Sequence, residues 1–192
     1  MGGRCWIVIK DGNSHNGEGD RRERAPACTD NFQYVAFQYK GKQWMSVEQC
    51  FQGQKFPDES IQEKIRLCLK KTDTETDHEH GLRVWNEGRR YSSISKDWDK
   101  MKVDIMYDVC WAKLESNPKM QVELVEATGS YPIEGNNSTT WNHPKLGPQN
   151  WSLWNGLIQM KCREMCKPAE KRNHEFLQEA EAMFKKYREG YP

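Results

Sequence analysis

The stretch GKQWMSVEQCFQGQKF, residues 41–56, decides how the chain folds locally and where its chemistry could lie. Ser46 is followed three residues later by Gln49, which is the pattern of a capping box, so a helix is predicted to begin there with Ser46 as its N-cap. Glu48 then falls in the first turn, where the helix dipole favours an ionised carboxylate. Such a group suits a base, or a stabiliser of developing positive charge, better than a proton donor.

One face of this predicted helix carries four chemically different groups. They are the carboxylate, aromatic ring, amide and ammonium of Glu48, Phe51, Gln52 and Lys55, at the spacing i, i+3, i+4 and i+7. A glutamate in a first turn commonly does no more than offset the helix dipole at a solvated helix end. On spacing alone, that alternative stays open beside a functional role.

Length and charge limit the classes of function. A chain of 192 residues with a formal net charge of +1 is expected to form one domain, with no overall field that favours nucleic acid or an anionic membrane. The cluster Arg21, Arg22 and Arg24 is interrupted by Glu23 and is most simply a solvated loop. Direct contact with nucleic acid is possible there but is not indicated by charge, and no membrane partner is expected.

Cysteine usage and hydropathy indicate the compartment. The seven cysteines are odd in number and irregularly spaced, which predicts reduced, packed thiols. No apolar run reaches the length of a membrane span and no signal peptide is evident, so we expect an intracellular, soluble protein. Residues 77–80 (Asp-His-Glu-His) and the pair Cys162 and Cys166 lack further ligands at a suitable spacing. Neither a metal nor another cofactor is therefore expected.

The order of predicted elements gives the fold class. A β-rich run at 5–9 and a mobile loop at 11–24 precede a strand at 34–39, and Lys40-Gly41-Lys42 can turn the chain back toward Ser46. Residues 72–80 are too polar for the core and are expected to form a loop or a frayed helix, and a long loop is expected at 130–150. Further helices are predicted near 60–68, 97–117, 120–129, 154–165 and 176–187. The class is therefore α+β, a predominantly helical single domain with a small β-sheet.

The domain is expected to have three parts. Residues 1–28 hold the N-terminal strand and mobile loop, residues 29–166 form the core, and residues 167–192 form a charged C-terminal helix that packs on the core or extends it. The helix near 97–117 is the clearest amphipathic segment. Its buried face is expected to carry Met101, Ile105, Val109 and Ala112.

Several short blocks, in order, resemble the NADAR superfamily of YbiA-like proteins. The stretch 41–56 resembles the family's strand, turn and Ser-x-Glu-His-x-Phe-Gln-x-x-Lys helix, and is the most specific block. The other blocks are Asn31-Phe32, Gly88-Arg89, residues 97–106, Ala112-Lys113-Leu114 with Asn117-Pro118, Ala127-Thr128-Gly129, and Gly156 with Met160 and Arg163. The resemblance depends on their joint occurrence and covers residues 29–166.

The resemblance implies an N-glycosidase-like pocket. Relatives hydrolyse the bond between a ribose anomeric carbon and a nitrogen, in ribosylamino-pyrimidine phosphates of riboflavin synthesis or in ADP-ribose attached to guanine. Glu48 becomes the candidate catalytic residue, because a carboxylate can face an oxocarbenium-like sugar and polarise water. The substrate-binding candidates, which offer ring faces, fixed charges or hydrogen-bonding groups, are Asn31, Phe32, Phe51, Lys55, Arg89, Trp98, Glu134, Trp141 and Asn150.

Ordinary structural roles compete with these assignments. Trp98 could anchor the core instead of stacking on a ligand, and Lys55 could be a solvated helix lysine. Arg89 beside Arg90 is most simply surface charge, and Asn31 could be a turn residue.

The chain departs from the family in the loop before the last core helix. The family carries Val-Glu-x-Ser/Thr-x-x-Asp-x-x-Trp-Gly there, whereas residues 133–142 keep Glu134 and Trp141 but have no aspartate. The glycine-rich tail is reduced to 147–150, and Asn150 lies further from Gly156 than the family spacing allows. Glu134 could take over part of the aspartate's role.

Three functions therefore stay open. The first is an N-glycosidase-like hydrolase that cleaves an N-ribosyl bond of a nucleotide-like substrate or ADP-ribosylated nucleobase. The second is a catalytically impaired module that binds ADP-ribose or a related nucleotide, because loss of one positioned charge commonly slows a reaction by orders of magnitude. The third is a partner-docking role for the charged C-terminal helix.

Overall fold

The computed structural model describes residues 3–10 and 20–191. Within these ranges the chain forms seven α-helices and seven short strands, which confirms the predicted α+β class. In chain order the elements are β1 (Trp6–Ile9), β2 (Arg21–Arg24), β3 (Phe37–Tyr39), β4 (Lys42–Trp44), α1 (Val47–Gln54), α2 (Glu59–Arg66), α3 (Asp77–Gly88), α4 (Trp98–Ser116), α5 (Pro118–Thr128), β5 (Ile133–Glu134), β6 (Thr140–His143), β7 (Gly147–Asn150), α6 (Trp151–Cys166) and α7 (His174–Glu189).

The hairpin β3–β4 delivers the chain to α1. Its two turn residues, Lys40 and Gly41, both have positive φ, of 49° and 72°. Positive φ at both central positions is the geometry of a type I′ turn, which matches the twist of the flanking strands. The predicted turn is thus confirmed, although the strand before it begins only at Phe37.

The remaining strands form two further small antiparallel sheets. One has the order β2-β1-β5, and the other is the hairpin β6–β7. The prediction of a mobile loop at 11–24 is wrong for Arg21–Arg24, which pair with β1, and residues 11–19 lie outside the described residues. All four side chains of β2 are exposed on this edge strand. The sequence of β2 therefore lacks the alternation of apolar and polar residues that would predict a strand, since its pairing with β1 depends on backbone hydrogen bonds.

Two other segments contain more regular structure than predicted. Helix α3 begins at Asp77, within the segment predicted as a loop or a frayed helix, because Thr76 and Glu79 form a reciprocal capping box. His80 is fully buried on this helix, contrary to the expectation that residues 72–80 are too polar for the core. The segment 130–150 contains β5, β6 and β7, whose short polar strands carry little hydrophobic pattern.

The main core joins α1, α4, α6 and α7. Helix α4 turns Val103, Met106 and Cys110 inward, whereas Met101, predicted to be buried, is 39% exposed. The predicted apolar stripe is wrong at Met101, whereas Val109 and Ala112 are buried and Ile105 packs half-buried against the core. Helix α7 adds Phe184 to the same cluster, so the C-terminal helix is part of the core packing.

All seven cysteines are free, five of them buried, as predicted for packed thiols. Across the described parts of the chain, no helix combines the length and apolarity needed to cross a bilayer.

Candidate active site

The first turn of α1 is anchored on three sides. Ser46 Oγ accepts a hydrogen bond from Gln49 N at 3.1 Å, which confirms the predicted N-cap. The Gln49 side chain accepts from Met45 N at 2.8 Å, one residue earlier than a standard capping box requires. Glu48 N donates to Asn31 O at 2.9 Å. These contacts fix the position of Glu48, which is fully buried.

The predicted polar face of α1 forms a continuous hydrogen-bonded relay. Gln52 Nε2 donates to Glu48 Oε1 at 2.6 Å, and Lys55 Nζ donates to Gln52 Oε1 at 2.5 Å. Glu48 Oε2 is buried and has no hydrogen-bond partner in the part of the chain that the structure describes. An unpartnered buried carboxylate oxygen is unfavourable for stability, so the packing of the fold alone does not account for it.

A wall of aromatic rings adjoins this relay. The Phe51 ring lies 4.9 Å from Trp98 and 5.4 Å from Trp151, centroid to centroid. Trp151 lies in turn 5.0 Å from Trp141. Phe51 thus contacts the predicted candidate Trp98 directly, and Trp151, which the sequence analysis missed, links Phe51 to the third predicted candidate, Trp141. We call these four residues the ring cluster.

Two lysines lie beside the ring cluster, Lys102 buried and Lys55 half-buried. Lys55 Nζ lies 5.8 Å from the centre of the Phe51 ring and 6.0 Å from that of Trp98. Lys102 Nζ lies 4.3 Å from the Trp141 ring centre and pairs with Asp99 at 2.8 Å. Sequence reasoning did not select Lys102, although it stands one helical turn after Trp98 in the block 97–106 that resembles the family.

Burial lowers the pKa of both ammonium groups. For Lys55, desolvation is the largest effect, the negative charge of Glu48 opposes it, and the charges of Lys102 and Arg89 lower the pKa further. For Lys102, desolvation again lowers the pKa, and Asp99 opposes it. The region beside Glu48 thus concentrates positive charge in a weakly solvated setting.

Two candidates near the N-terminus of the core pack away from the Glu48 carboxylate. The Asn31 amide contacts Met106 Sδ and Cys110 Sγ, each at 3.6 Å, inside the core. Phe32 is 1% exposed and packs so closely on Gly81 of α3 that a Cβ there would collide with the ring. In this structure, Asn31 meets Glu48 through its backbone carbonyl, and Phe32 is a core residue.

Arg89 is exposed at the C-terminal end of α3. Its guanidinium carbon lies 4.5 Å from the centre of the Trp85 ring. Its positive charge contributes to the lowered pKa of Lys55.

Glu134 and Asn150 lie together at a different place. Glu134 pairs with Arg22 at 2.9 Å, and Asn150 caps α6 by accepting from Leu153 N at 2.7 Å. Both line a cavity of about 580 Å³ whose wall also includes Leu157. This cavity shares no lining residue with the relay or the ring cluster. The fold does not bring these two candidates to Glu48.

The sequence segments considered for metal binding are engaged in other contacts. Asp77 pairs with Lys70 at 2.7 Å, and the His80 ring hydrogen-bonds to Cys68 O at 2.7 Å. Cys162 is fully buried in the core. Over residues 3–10 and 20–191, no group of three or more histidine, cysteine, aspartate or glutamate side chains is arranged to hold a metal ion.

Comparison with known proteins gives three matches. A family model described as the NADAR domain matches residues 20–140. The chain is 27% identical over 136 residues to the N-glycosidase YbiA of Shigella sonnei (strain Ss046), covering 70% of this chain and 78% of that protein. The NMR structure of the E. coli protein YbiA resembles the fold with a TM-score of 0.52, at 23% identity over 82% of each chain. Because the family model spans more than half of the sequence and includes α1 with Glu48, the chain belongs to the NADAR domain family.

Proposed function

We propose that this protein is an N-glycosidase-like hydrolase that cleaves the N-ribosyl bond of a nucleotide-like substrate. One observation carries the proposal: Glu48 is fully buried with one oxygen held by Gln52 and the other without a partner among the described residues, close to aromatic rings and lysines. The N-glycosidase among its relatives supports this class of reaction.

The reaction needs a carboxylate in such a setting. As the C1′–N bond breaks, its electron pair stays with the nitrogen and the sugar acquires oxocarbenium character, which a nearby negative charge stabilises. Glu48 Oε2 removes a proton from water, and the water oxygen bonds to C1′. The same proton then passes to the departing nitrogen. Glu48 thus acts first as a base and afterwards as an acid.

The surroundings favour a flat leaving group and an anionic tail. Trp98 and Trp141 offer ring faces to a base. Lys55 and Lys102 offer positive charge to phosphate. Ribosylamino-pyrimidine phosphates and ADP-ribosyl adducts combine these features, and we propose them as the substrate class.

The proposal is tested with Glu48→Gln, which keeps the side chain's shape and removes its charge. Purified protein is incubated with ribosylamino-pyrimidine phosphates, NAD, ADP-ribose and ADP-ribosyl-guanosine, and release of free base is measured. We expect the variant to bind ligand normally but to release base about 100- to 1,000-fold more slowly. The matched control is Glu59→Gln, the same change in the exposed first turn of α2. Equal turnover by both variants would overturn the assignment of Glu48.

A second candidate function is a module that binds ADP-ribose or a related nucleotide without cutting it. The separation of Glu134 from Glu48 favours it, because Glu134 is the residue that could have replaced the aspartate missing from the loop. Calorimetry distinguishes the two functions. Saturable binding of ADP-ribose, with no product after long incubation of any substrate in the panel, would support the module and exclude the hydrolase.

A further inference from the structure

We propose that Gln52 is a positioning residue: its side-chain amide, seated against Gly88, holds Glu48 so that only Oε2 is free for the reacting water. The inference rests on the proposed function and assigns a role to a residue between the candidate catalytic group and Lys55.

The chemistry of Lys55 fixes which way the Gln52 amide faces. An ammonium group only donates hydrogen bonds, so the atom 2.5 Å from Lys55 Nζ must be the carbonyl oxygen of the amide. The amide nitrogen then faces Glu48 Oε1 and donates to it at 2.6 Å. The opposite orientation would set nitrogen donors against the ammonium and an oxygen against the carboxylate. Lys55 therefore selects the donor that holds Glu48.

Gly88, the last residue of α3, provides the seat for this amide. A Cβ on Gly88 would collide with Oε1 of Gln52 and would lie 3.0 Å from Cδ. The backbone of Gly88 does not have the positive φ that would require glycine. Since the backbone conformation does not call for glycine, close approach of the amide is the physical reason for glycine here.

The amide also separates the ammonium from the carboxylate. A direct Lys55–Glu48 ion pair would engage the carboxylate oxygens, but the relay occupies only Oε1. Glu48 Oε2 stays buried without a partner among the described residues. One oxygen is therefore used for orientation and the other is left for chemistry.

The first experiment replaces Gln52 with leucine. Gln52→Leu removes both hydrogen bonds, so we expect kcat for base release to fall about 100-fold while KM changes less than about threefold, as for a catalytic group displaced by about 1 Å. The control is Gln54→Leu, the same change on the same helix, where the amide accepts from exposed Lys40. A kcat for Gln52→Leu within about twofold of the control would overturn the proposal.

A second variant leaves every polar group in place. Gly88→Ala displaces the Gln52 amide sterically. Its kcat should therefore fall as far as that of Gln52→Ala, a variant that removes the amide. The double variant Gln52→Ala/Gly88→Ala should be no slower than Gln52→Ala alone, because the displaced group is already absent. An additional loss in the double variant would show that Gly88 acts through another contact and would overturn its assigned role.

A third measurement needs no substrate. The side-chain amide signal of Gln52, identified by its loss in Gln52→Leu, is followed in ¹H–¹⁵N spectra. Glu48→Gln and Lys55→Met should each shift it, and Glu59→Gln should not. If the wild type releases no base but these shifts occur, the proposed hydrolase fails while the relay stands. If the signal is unmoved by both changes, the relay itself is refuted.

Discussion

Lys102 holds its ammonium 4.3 Å from the centre of the Trp141 ring, and this contact joins α4 to the hairpin β6–β7 beside the ring cluster. Lys102 is 7% exposed and also pairs with Asp99, so its position is fixed from two sides. A ligand that stacks on Trp141 would therefore meet a positive charge that is already in place, without ordering a flexible lysine.

Trp141→Ala is expected to weaken nucleotide binding. Loss of one stacking ring costs about 1–3 kcal/mol, or about 5- to 150-fold in Kd, and Trp141→Phe should recover most of that loss. Calorimetry with ADP-ribose measures the effect, and thermal unfolding shows whether each variant is folded. Trp6→Ala is the matched control, since Trp6 lies 3.9 Å from the Arg24 guanidinium on a different sheet. Equal affinities for the two alanine variants would exclude stacking on Trp141.

The lowered pKa of Lys55 gives the site a pH dependence. Burial stabilises the neutral form of this lysine, so its positive charge is lost at a lower pH than for an ordinary lysine with a pKa of 10.5. The protonated form binds phosphate, and the affinity for a phosphate-bearing ligand should therefore fall as the pH rises through that lowered pKa. Titrations of Kd against pH measure this fall.

Lys55→Arg is the informative variant for that pH dependence. Arginine stays charged at any pH that the protein tolerates, so the alkaline loss of affinity should disappear while binding at neutral pH is retained. An unchanged pH profile in the variant would assign the titration to another group, Lys102 being the nearest buried candidate.

Much of the fold was predictable because its signals are local in sequence. The cap at Ser46, the I′ turn at Lys40-Gly41 and the stop at Asn117-Pro118 each depend on a few adjacent residues. Strand β2 and the strands between 133 and 150 were not predicted, because they are short and mostly polar, and their stability depends on pairing with other strands and not on a hydrophobic pattern of their own. Helix α3 could have been found from its Thr76–Glu79 capping box.

The candidate site likewise has residues that could be predicted from the sequence and residues that could not. Glu48, Phe51 and Lys55 come together because one helix carries them, and helical spacing is visible in sequence. Trp151 and Lys102 reach them from α6 and α4, and their inward direction depends on how those helices pack. Glu134 and Asn150 were selected by alignment through a loop without regular pattern, and β5 and the α6 cap carry them to another cavity.

Glu134→Gln is therefore expected to leave base release within about twofold of the wild type. Its carboxylate pairs with Arg22 at the surface, an interaction worth about 0–1 kcal/mol, so stability should also change little. Kinetic assays of Glu134→Gln beside Glu48→Gln provide the comparison. A drop of tenfold or more in the Glu134 variant would mean that the loop moves to Glu48 when substrate binds.

Helix α7 is expected to be required for folding as well as for any partner it docks. Phe184 is 1% exposed in the main core, and Tyr187 donates from its hydroxyl to Asp99 O at 2.8 Å. Phe184→Ala should therefore reduce the free energy of unfolding by about 3–5 kcal/mol. Met183→Ala, on the same helix but 40% exposed, should reduce it much less. Denaturant unfolding of both variants measures the difference.

Truncation after Pro168 extends this test to the whole helix. The Tyr187 ring packs against Trp154 at 5.1 Å and Trp141 at 6.4 Å, so removing α7 uncovers the core and also one side of the ring cluster. We expect the truncated chain to lose cooperative unfolding and nucleotide binding together. The truncated protein could instead unfold cooperatively and keep its ligand affinity but lose self-association. The core would then be complete without Phe184 and Tyr187, and α7 would be a docking element.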